Sequence, residues 1–312
     1  MIDAPPVWWP KDARVCFEDL IDYRLVGASS CADRITSALV AVALGSQALK
    51  RDICTDLNDA AGLFCGLKPD TALYRNIADS LIHGARGGVA EEVEARARAL
   101  SDFRKSAQER VVTHTVALVD HADTLLIHDY SSMVLRVVHT LGTKRPRRIV
   151  VTAGEPLGQG IRVAQLVAAA GHEVIYTPDM SVARVISEVD GFITGVESFY
   201  ADGSLANTVG TVMLSLLCRD RGVPTIAPAE TLKCADPCLT VTDAPLSARL
   251  LHAWPRGGPG PGVDWQVVQL VLDAVPASLI STFVTEDGAC TPADVGATAR
   301  RAQARLRQHW DS

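Results

Sequence analysis

Aromatic residues are scarce, at 5% of 312 positions, and positive charge is not in excess: the formal net charge is −6. That balance excludes a chain-wide nucleic-acid footprint, because phosphate binding needs a basic excess or a basic face. No apolar run reaches membrane-spanning length. Residues 38–44 (ALVAVAL) stop far short of the roughly 20 that a membrane helix needs. The opening MIDAPPVWWPKDARV has no basic segment followed by an apolar one, so no signal peptide is read and a cytoplasmic location is expected. The eight cysteines are scattered, most of them in apolar periodic segments, and read as reduced, buried thiols. Cys234 and Cys238 form a lone C-x-x-x-C with no second pair and no nearby histidine, too few ligands for zinc. Neither a metal nor a cofactor is expected.

The length allows one large or two modest domains. Segments 32–47, 51–64, 71–83 and 90–119 carry apolar residues three and four apart, which predicts helices. In the last, Glu91, Glu92 and Glu94 precede Arg96, Arg98 and Arg104, the order a helix dipole favours on a solvated face. The stretch around Trp8-Trp9-Pro10 shows no clear period. After about residue 120 the rhythm changes. Short apolar runs at 124–127, 148–152, 173–177, 191–194 and 224–227 alternate with amphipathic helices expected at 132–141, 161–170, 182–189 and 208–221. A further strand is expected at 279–284, a closing helix at 292–310, and a surface loop at 255–262 (PRGGPGPG). Alternation of this kind implies right-handed crossovers and a doubly wound parallel sheet. The expected class is therefore α/β, with an N-terminal helical domain over 1–119 and a Rossmann-like ligand-binding domain over 120–312.

Ligands of such sheets sit at the carboxyl ends of the strands. The sequence puts His128-Asp129-Tyr130-Ser131, Ala153-Gly154-Glu155 with Gln159-Gly160, Asp179, Glu197-Ser198 and Ala229-Glu230-Thr231 with Lys233 at those ends. This rim holds several carboxylates and few cations. A plainer reading stands beside it: Asp129 and Ser131 are also the residue types that cap a following helix. Asp179 has the same two readings, and His114 and His121 read as structural. GEPLGQG lacks the Gly-Lys-Ser/Thr of a P-loop, so nucleotide hydrolysis is not expected. Its glycines are read as letting the helix at Gly160 offer free backbone N–H groups to an anion or polar ligand.

GEPLGQG, the PD after the third strand, GVESFYADGSLANTVGT, APAETLK and VPASLISTFVTEDGACTP occur in an order and spacing that resemble one family. It joins the regulatory alpha, beta and delta subunits of translation initiation factor two-B with methylthioribose-1-phosphate and ribose-1,5-bisphosphate isomerases. The likeness covers about residues 120–300. In the helical third, Gly27-Ala28 and KPDTALYRN at 68–76 are similar to an isomerase glycine motif and a Pro-Thr-Ala motif. The resemblance implies a helical domain, a Rossmann-like domain, homodimers formed through the latter and a sugar-like, phosphorylated or related small-molecule ligand. No membrane or nucleic-acid partner is implied. In the isomerases a cysteine after the first strand and an aspartate after the fourth interconvert aldose and ketose phosphates. By position these correspond to Asp129 and Glu197, which are expected to be the catalytic pair.

The departures carry as much meaning. IHDYS and GVE resemble the non-catalytic subunits more than the isomerases. Glu155 stands where the isomerases present a phosphate-holding arginine, and Asn207-Thr208 stands where they present Asn-Lys. Lys233 alone keeps a cation at a matching position. Unit charges about 4 Å apart interact by roughly 4 kcal/mol at intermediate dielectric, so exchanging Arg for Glu severely weakens a phosphate in that pose. Two readings follow. The preferred one is an isomerase-like enzyme using Asp129 and Glu197 for proton transfer, with His128 or Tyr130 as a relay and Ser131, Glu155, Gln159, Gly160, Asn207, Lys233, Gly27 and Ala28 lining the substrate. The alternative is a non-catalytic regulatory or small-molecule-binding subunit.

Overall fold

The computed structural model describes residues 4–22, 24, 27–155, 157–235 and 271–311, with side chains to 305. The expected loop at 255–262 and Cys238 lie outside these residues. Five helices come first: α1 (Lys11–Ile21), α2 (Ala28–Ala48), α3 (Ile53–Leu67), α4 (Ala72–Gly84) and α5 (Ala90–Leu118). Helix α1 was not anticipated, although Ala13, Cys16, Phe17 and Leu20 form a buried stripe at helical spacing. The aperiodic stretch before it supplies Trp9, which stacks on Phe64 at 5.6 Å between centroids and meets the edge of Phe17. Trp9, Phe17 and Phe64 thus form one aromatic cluster among the helices. Helix α5 leaves this core part-way along its length. Val93, Ala97 and Leu100 pack among the helices, while Val111, Val112 and Val116 pack against the sheet.

The alternating half runs β1 (Thr124–Ile127), α6 (Ser132–Lys144), β2 (Arg148–Thr152), α7 (Gly160–Ala169), β3 (Glu173–Thr177), β4 (Gly191–Ile193), β5 (Ser198–Tyr200), β6 (Leu205–Thr208), α8 (Thr211–Asp220), β7 (Thr225–Pro228), β8 (Cys234–Ala235), β9 (Leu272–Val275), β10 (Thr282–Thr285), β11 (Gly288–Cys290) and α9 (Pro292–Asp311). The main sheet has the order β11-β10-β7-β4-β1-β2-β3, parallel throughout except for the β10–β11 hairpin. Both faces are covered, as alternate residues of β1 record. Leu125 and Ile127 pack with α5 and α6, and Leu126 packs with Phe192 and Leu214 on the other side.

Three local expectations are corrected. Residues 182–189 form two short 3₁₀ turns, Asp179–Arg184 and Ile186–Glu188, rather than one helix. Their apolar spacing imitates a helix, but Val182, Val185, Ile186 and Val189 are β-branched and lower helix propensity. The bonds formed are three-residue ones, such as Val185 N–H to Val182 C=O at 2.9 Å. The helix expected from 208 starts at Thr211, because Asn207 and Thr208 end β6 and Gly210 turns the chain at φ 101°. The strand expected at 279–284 is Thr282–Thr285, preceded by a 3₁₀ turn at Ala277–Leu279.

A small second sheet, β8-β5-β6-β9, was not foreseen, since its strands are two to four residues long. Its hairpin turn lies at Ala201-Asp202-Gly203-Ser204, where Asp202 Oδ1 accepts the Ser204 N–H at 2.9 Å. Gly160, at the start of α7, is the tightest approach of helix to sheet. A Cβ there would lie 2.0 Å from the Thr152 carbonyl oxygen and 2.6 Å from that of Ala153. Backbone cannot yield cheaply, so Gly160→Ala should cost about 1–3 kcal/mol, visible as a lowered Tm in thermal unfolding. An unchanged Tm contradicts this packing.

Candidate functional site

The strand order reverses between β1 and β4: the chain builds outward through β2 and β3 on one side and β4, β7 and β10 on the other. Ligands of doubly wound sheets bind outside that switch point, in the crevice at the strand ends. Ile127 and Ile193 are register partners across it. Asp129 lies two residues beyond the first, and Glu197 four beyond the second.

Asp129 has φ 56°, in the left-handed region that a non-glycine residue seldom adopts and Asp or Asn tolerates best. It is 7% exposed. One carboxylate oxygen, Oδ2, accepts the Thr208 hydroxyl at 2.7 Å. The other, Oδ1, is buried with no hydrogen-bond partner among the described residues. Burial pushes this carboxyl above the ordinary aspartate range. The Thr208 hydroxyl, the Tyr130 backbone N–H and His128 work against the rise, and the Asp179 charge adds to it. Thr208 stands at the end of β6, so the unforeseen second sheet delivers a side chain that holds Asp129.

His128 has both ring nitrogens engaged, Nδ1 with the Thr152 hydroxyl at 2.6 Å and Nε2 with the Val209 carbonyl at 2.8 Å. A carbonyl only accepts, so Nε2 carries a proton; in the neutral ring Nδ1 then accepts from Thr152. His128 therefore ties β1 to β2 and to the loop before α8. Ser131 caps α6, accepting the Val134 N–H at 3.4 Å. Tyr130 is half-buried, its ring facing the Arg162 guanidinium at 5.2 Å. Gly27 lies against the same ring: a Cβ there would come 3.1 Å from Tyr130 Cε1. Ala28 is the first, buried residue of α2. Gly27 and Ala28 thus bring the helical part to the end of β1.

The β2–α7 loop is braced by Asp179, whose two oxygens accept the Gly154 and Glu155 N–H groups at 2.9 and 2.8 Å. The Glu155 side chain is exposed and Gln159 is half-buried. The expectation of a free N–H at Gly160 is corrected: that group donates to the Ala153 carbonyl at 2.9 Å, because the helix start is folded back onto its own strand. Asn207 is buried and donates to the Thr211 and Thr194 hydroxyls at 3.0 and 3.4 Å.

Glu197 is half-buried at the step from β4 into β5 and accepts the Thr71 hydroxyl at 2.5 Å. Lys233 is buried, its ammonium donating to the Val196 carbonyl at 2.5 Å. Burial pulls the ammonium below the ordinary lysine range, against the charges of Glu197 and Glu230. Glu230 is itself enclosed and accepts two guanidinium bonds from Arg104, each 3.1 Å, and one from Gln108 at 3.2 Å. Tyr74 is enclosed near Cys31 and Glu197; burial first, then the Glu197 charge, push its hydroxyl above the ordinary range. Thr71 and Tyr74 are not legible in the sequence as lining residues, and Arg104, expected on a solvated face, is corrected: it is buried, because Glu230 at the end of β7 takes its guanidinium. The only signal for the first two was the TALY stretch inside the motif at 68–76.

Residues 26–292 match the initiation factor 2 subunit family over most of the chain. The chain belongs to the initiation factor 2 subunit family. Among its relatives, a translation initiation factor eIF-2B subunit 2-like protein of Pyrococcus horikoshii is 26% identical over 200 residues, 63% of this chain and 69% of that one. A ribose 1,5-bisphosphate isomerase of Pyrococcus furiosus is 22% identical over 297 residues, 88% of this chain and 89% of the relative. The fold is that of the Pyrococcus horikoshii eIF-2B structure, with TM-score 0.76, 20% identity and 91% and 98% of the two chains covered. It also matches a Pyrococcus horikoshii 5-methylthioribose 1-phosphate isomerase, with TM-score 0.70, 18% identity and coverage of 95% and 87%. The family therefore includes both initiation-factor subunits and sugar-phosphate isomerases. Among the described residues no helix is long and apolar enough to cross a membrane.

In this family member a carboxyl whose folded affinity for protons is raised contributes stability that is full below its unfolded value, about pH 3.9, and lost as pH rises through the folded one. Asp129→Asn keeps the left-handed tolerance and removes the penalised charge. It should raise stability at pH 7 by about 0.5–2 kcal/mol, a usual gain when a strained site group is replaced. In urea titrations the gain should vanish below the unfolded value. A loss of stability at pH 7 contradicts the burial argument.

Proposed function

We propose that this chain is an isomerase-like enzyme acting on a sugar phosphate or related small carbonyl compound by carboxylate proton transfer. Asp129 and Glu197 are its acid and base. The observation carrying this reading is the buried, strained carboxyl of Asp129 at the switch point, with one oxygen unpartnered and its proton affinity raised. A carboxyl group whose proton affinity is raised by burial is suited to protonating a carbonyl or ring oxygen, while the second carboxyl group takes a proton from the neighbouring carbon. The intermediate is an enediol; Glu197 returns its proton to the adjacent carbon while the other enediol hydroxyl gives its proton back to Asp129, which forms the new carbonyl and restores both groups.

In this reading Lys233 and Asn207 shape the Glu197 side of the cleft and Tyr130, Gln159 and Gly160 the Asp129 side. Ser131, His128, Gly27 and Ala28 hold those elements in place, and Glu155 stands at the mouth. Glu155 and Thr208 in place of cations select against the phosphate poses of the named isomerases. The division at 119/120, a soluble cytoplasmic setting and a homodimer formed through 120–312 belong to the same reading; light scattering that returns a monomer at micromolar concentration contradicts the last. The alternative, a non-catalytic regulatory or ligand-binding subunit, is favoured by the likeness to the eIF-2B subunit 2-like relative.

Proton transfer at carbon leaves a label. Incubated in D₂O with a panel of aldoses, ketoses and their phosphates, the protein should exchange the C2 hydrogen of at least one compound, followed by proton NMR. Asp129→Asn should slow that exchange by about 10²–10⁴-fold, the usual contribution of a general acid or base. Ribose 1,5-bisphosphate and methylthioribose 1-phosphate should be turned over negligibly. Binding without exchange anywhere in the panel favours the alternative, and rapid turnover of either family substrate contradicts the charge argument.

A further inference from the structure

Thr71 occupies the N-cap position of α4, where a threonine normally turns its oxygen onto the exposed N–H groups of the first turn. It does not do so here: α4 has no side-chain cap from its own N-cap residue. By contrast Asp52 caps α3, accepting the Thr55 N–H at 2.7 Å, and Ser131 caps α6. The Thr71 hydroxyl donates instead to Glu197 Oε1 at 2.5 Å, a contact spanning 126 residues of sequence. The capping role passes to the neighbour of Glu197. Ser198 Oγ accepts the Ala72 N–H at 2.8 Å and donates to the Asp70 carbonyl at 2.6 Å. One turn on, Asn76 Nδ2 donates to the carbonyls of Leu232 and Cys234 at 2.7 and 3.0 Å, fixing the strand-end segment that carries Lys233.

The start of α4 thus grips both the Glu197–Ser198 step after β4 and the segment that carries Lys233. A helix N-terminus also favours a carboxylate placed beside it. We propose that Thr71 is the positioning residue of Glu197: it gives up its own helix cap to orient that carboxylate toward the switch point, so the proton-transfer pair is complete only with the helical part docked. The inference rests on the reading of Glu197 as the second carboxyl group of the site. It gives the TALY stretch a task beyond starting a helix.

The test uses the full chain with Thr71→Val, Thr71→Ser, Glu197→Met and the double variant Thr71→Val/Glu197→Met. Thr71→Val should lower Tm in the wild-type background and leave it unchanged in Glu197→Met, because the lost hydroxyl served Glu197 and not α4. Thr71→Ser keeps the donor and should melt like the wild type. In deuterium exchange Thr71→Val should lower kcat by about 10–100-fold, as misplacement of a reacting group does, with KM nearly unchanged; Thr71→Ser should restore it. An equal Tm loss in both backgrounds overturns the proposal, since the hydroxyl then acts on the helix alone. So does an active Thr71→Val protein with unaltered kcat. A wild type with no exchange on any compound removes the enzyme reading, while the melting cycle still decides whether Thr71 holds Glu197.

Discussion

A carboxyl group taken out of water prefers its proton, and the end of β1 takes Asp129 out of water while leaving one of its oxygens without a partner among the described residues. Its neighbours hold it there. His128, the preceding residue, is clamped between Thr152 of β2 and the Val209 carbonyl, which fixes where β1 ends. Thr208 reaches back from β6 to bond the other oxygen. Asp179 fastens the β2–α7 loop beside it, with Gly154 close enough that a Cβ there would lie 3.2 Å from Asp129 Oδ1. A left-handed residue with a desolvated acid costs stability, and such costs persist where surrounding structure over-determines them. Sites that do chemistry are where they gather.

Charge ties the helices to the sheet. Arg104, from α5, is almost fully enclosed and serves two carboxylates, Glu230 at the end of β7 and the more exposed Asp33 of α2, the latter at 2.5 Å. Arg136 on α6 extends the network by donating to Gln108 at 2.9 Å. Removing one partner from such a buried pair strands the other, at about 3–5 kcal/mol. The pair therefore anchors the helices to the ligand end of the sheet as well as satisfying its own charges. Lys233 depends on the same neighbourhood, since its buried ammonium is offset by Glu197 and Glu230. Helical part and sheet meet where the candidate chemistry lies.

Much of this was legible in the sequence where periodicity is strong. The apolar rhythm of α2 through α5, the four-residue run of β1 and the strand–helix alternation after residue 120 each follow from residues that must face a core. The handover HDYS was legible as a site or a cap, and the structure divides it: Ser131 caps, whereas Asp129 does not join the helix at all. What escaped was tertiary. The strands of the second sheet are too short to show alternation, although the DG turn at 202–203 marked their hairpin. The pattern at 182–189 has helical spacing, but its β-branched residues disfavour the helix that spacing predicts. Thr208 is legible only as a replacement for a lysine and Thr71 only as part of the motif at 68–76, because a threonine before a helix or at a strand end is ordinary locally; only the fold brings their hydroxyls to Glu197 and Asp129.

The account stands or falls on whether the proton of Asp129 is held more tightly than that of an ordinary aspartate. Carbon-13 NMR of protein labelled at aspartate carboxyls, with Asp129→Asn identifying the resonance, measures this without knowledge of the substrate. The account predicts that the Asp129 signal titrates above the ordinary value of about 3.9. Titration at or below that value would contradict the central claim, leaving the end of β1 a strained turn with an ordinary carboxylate.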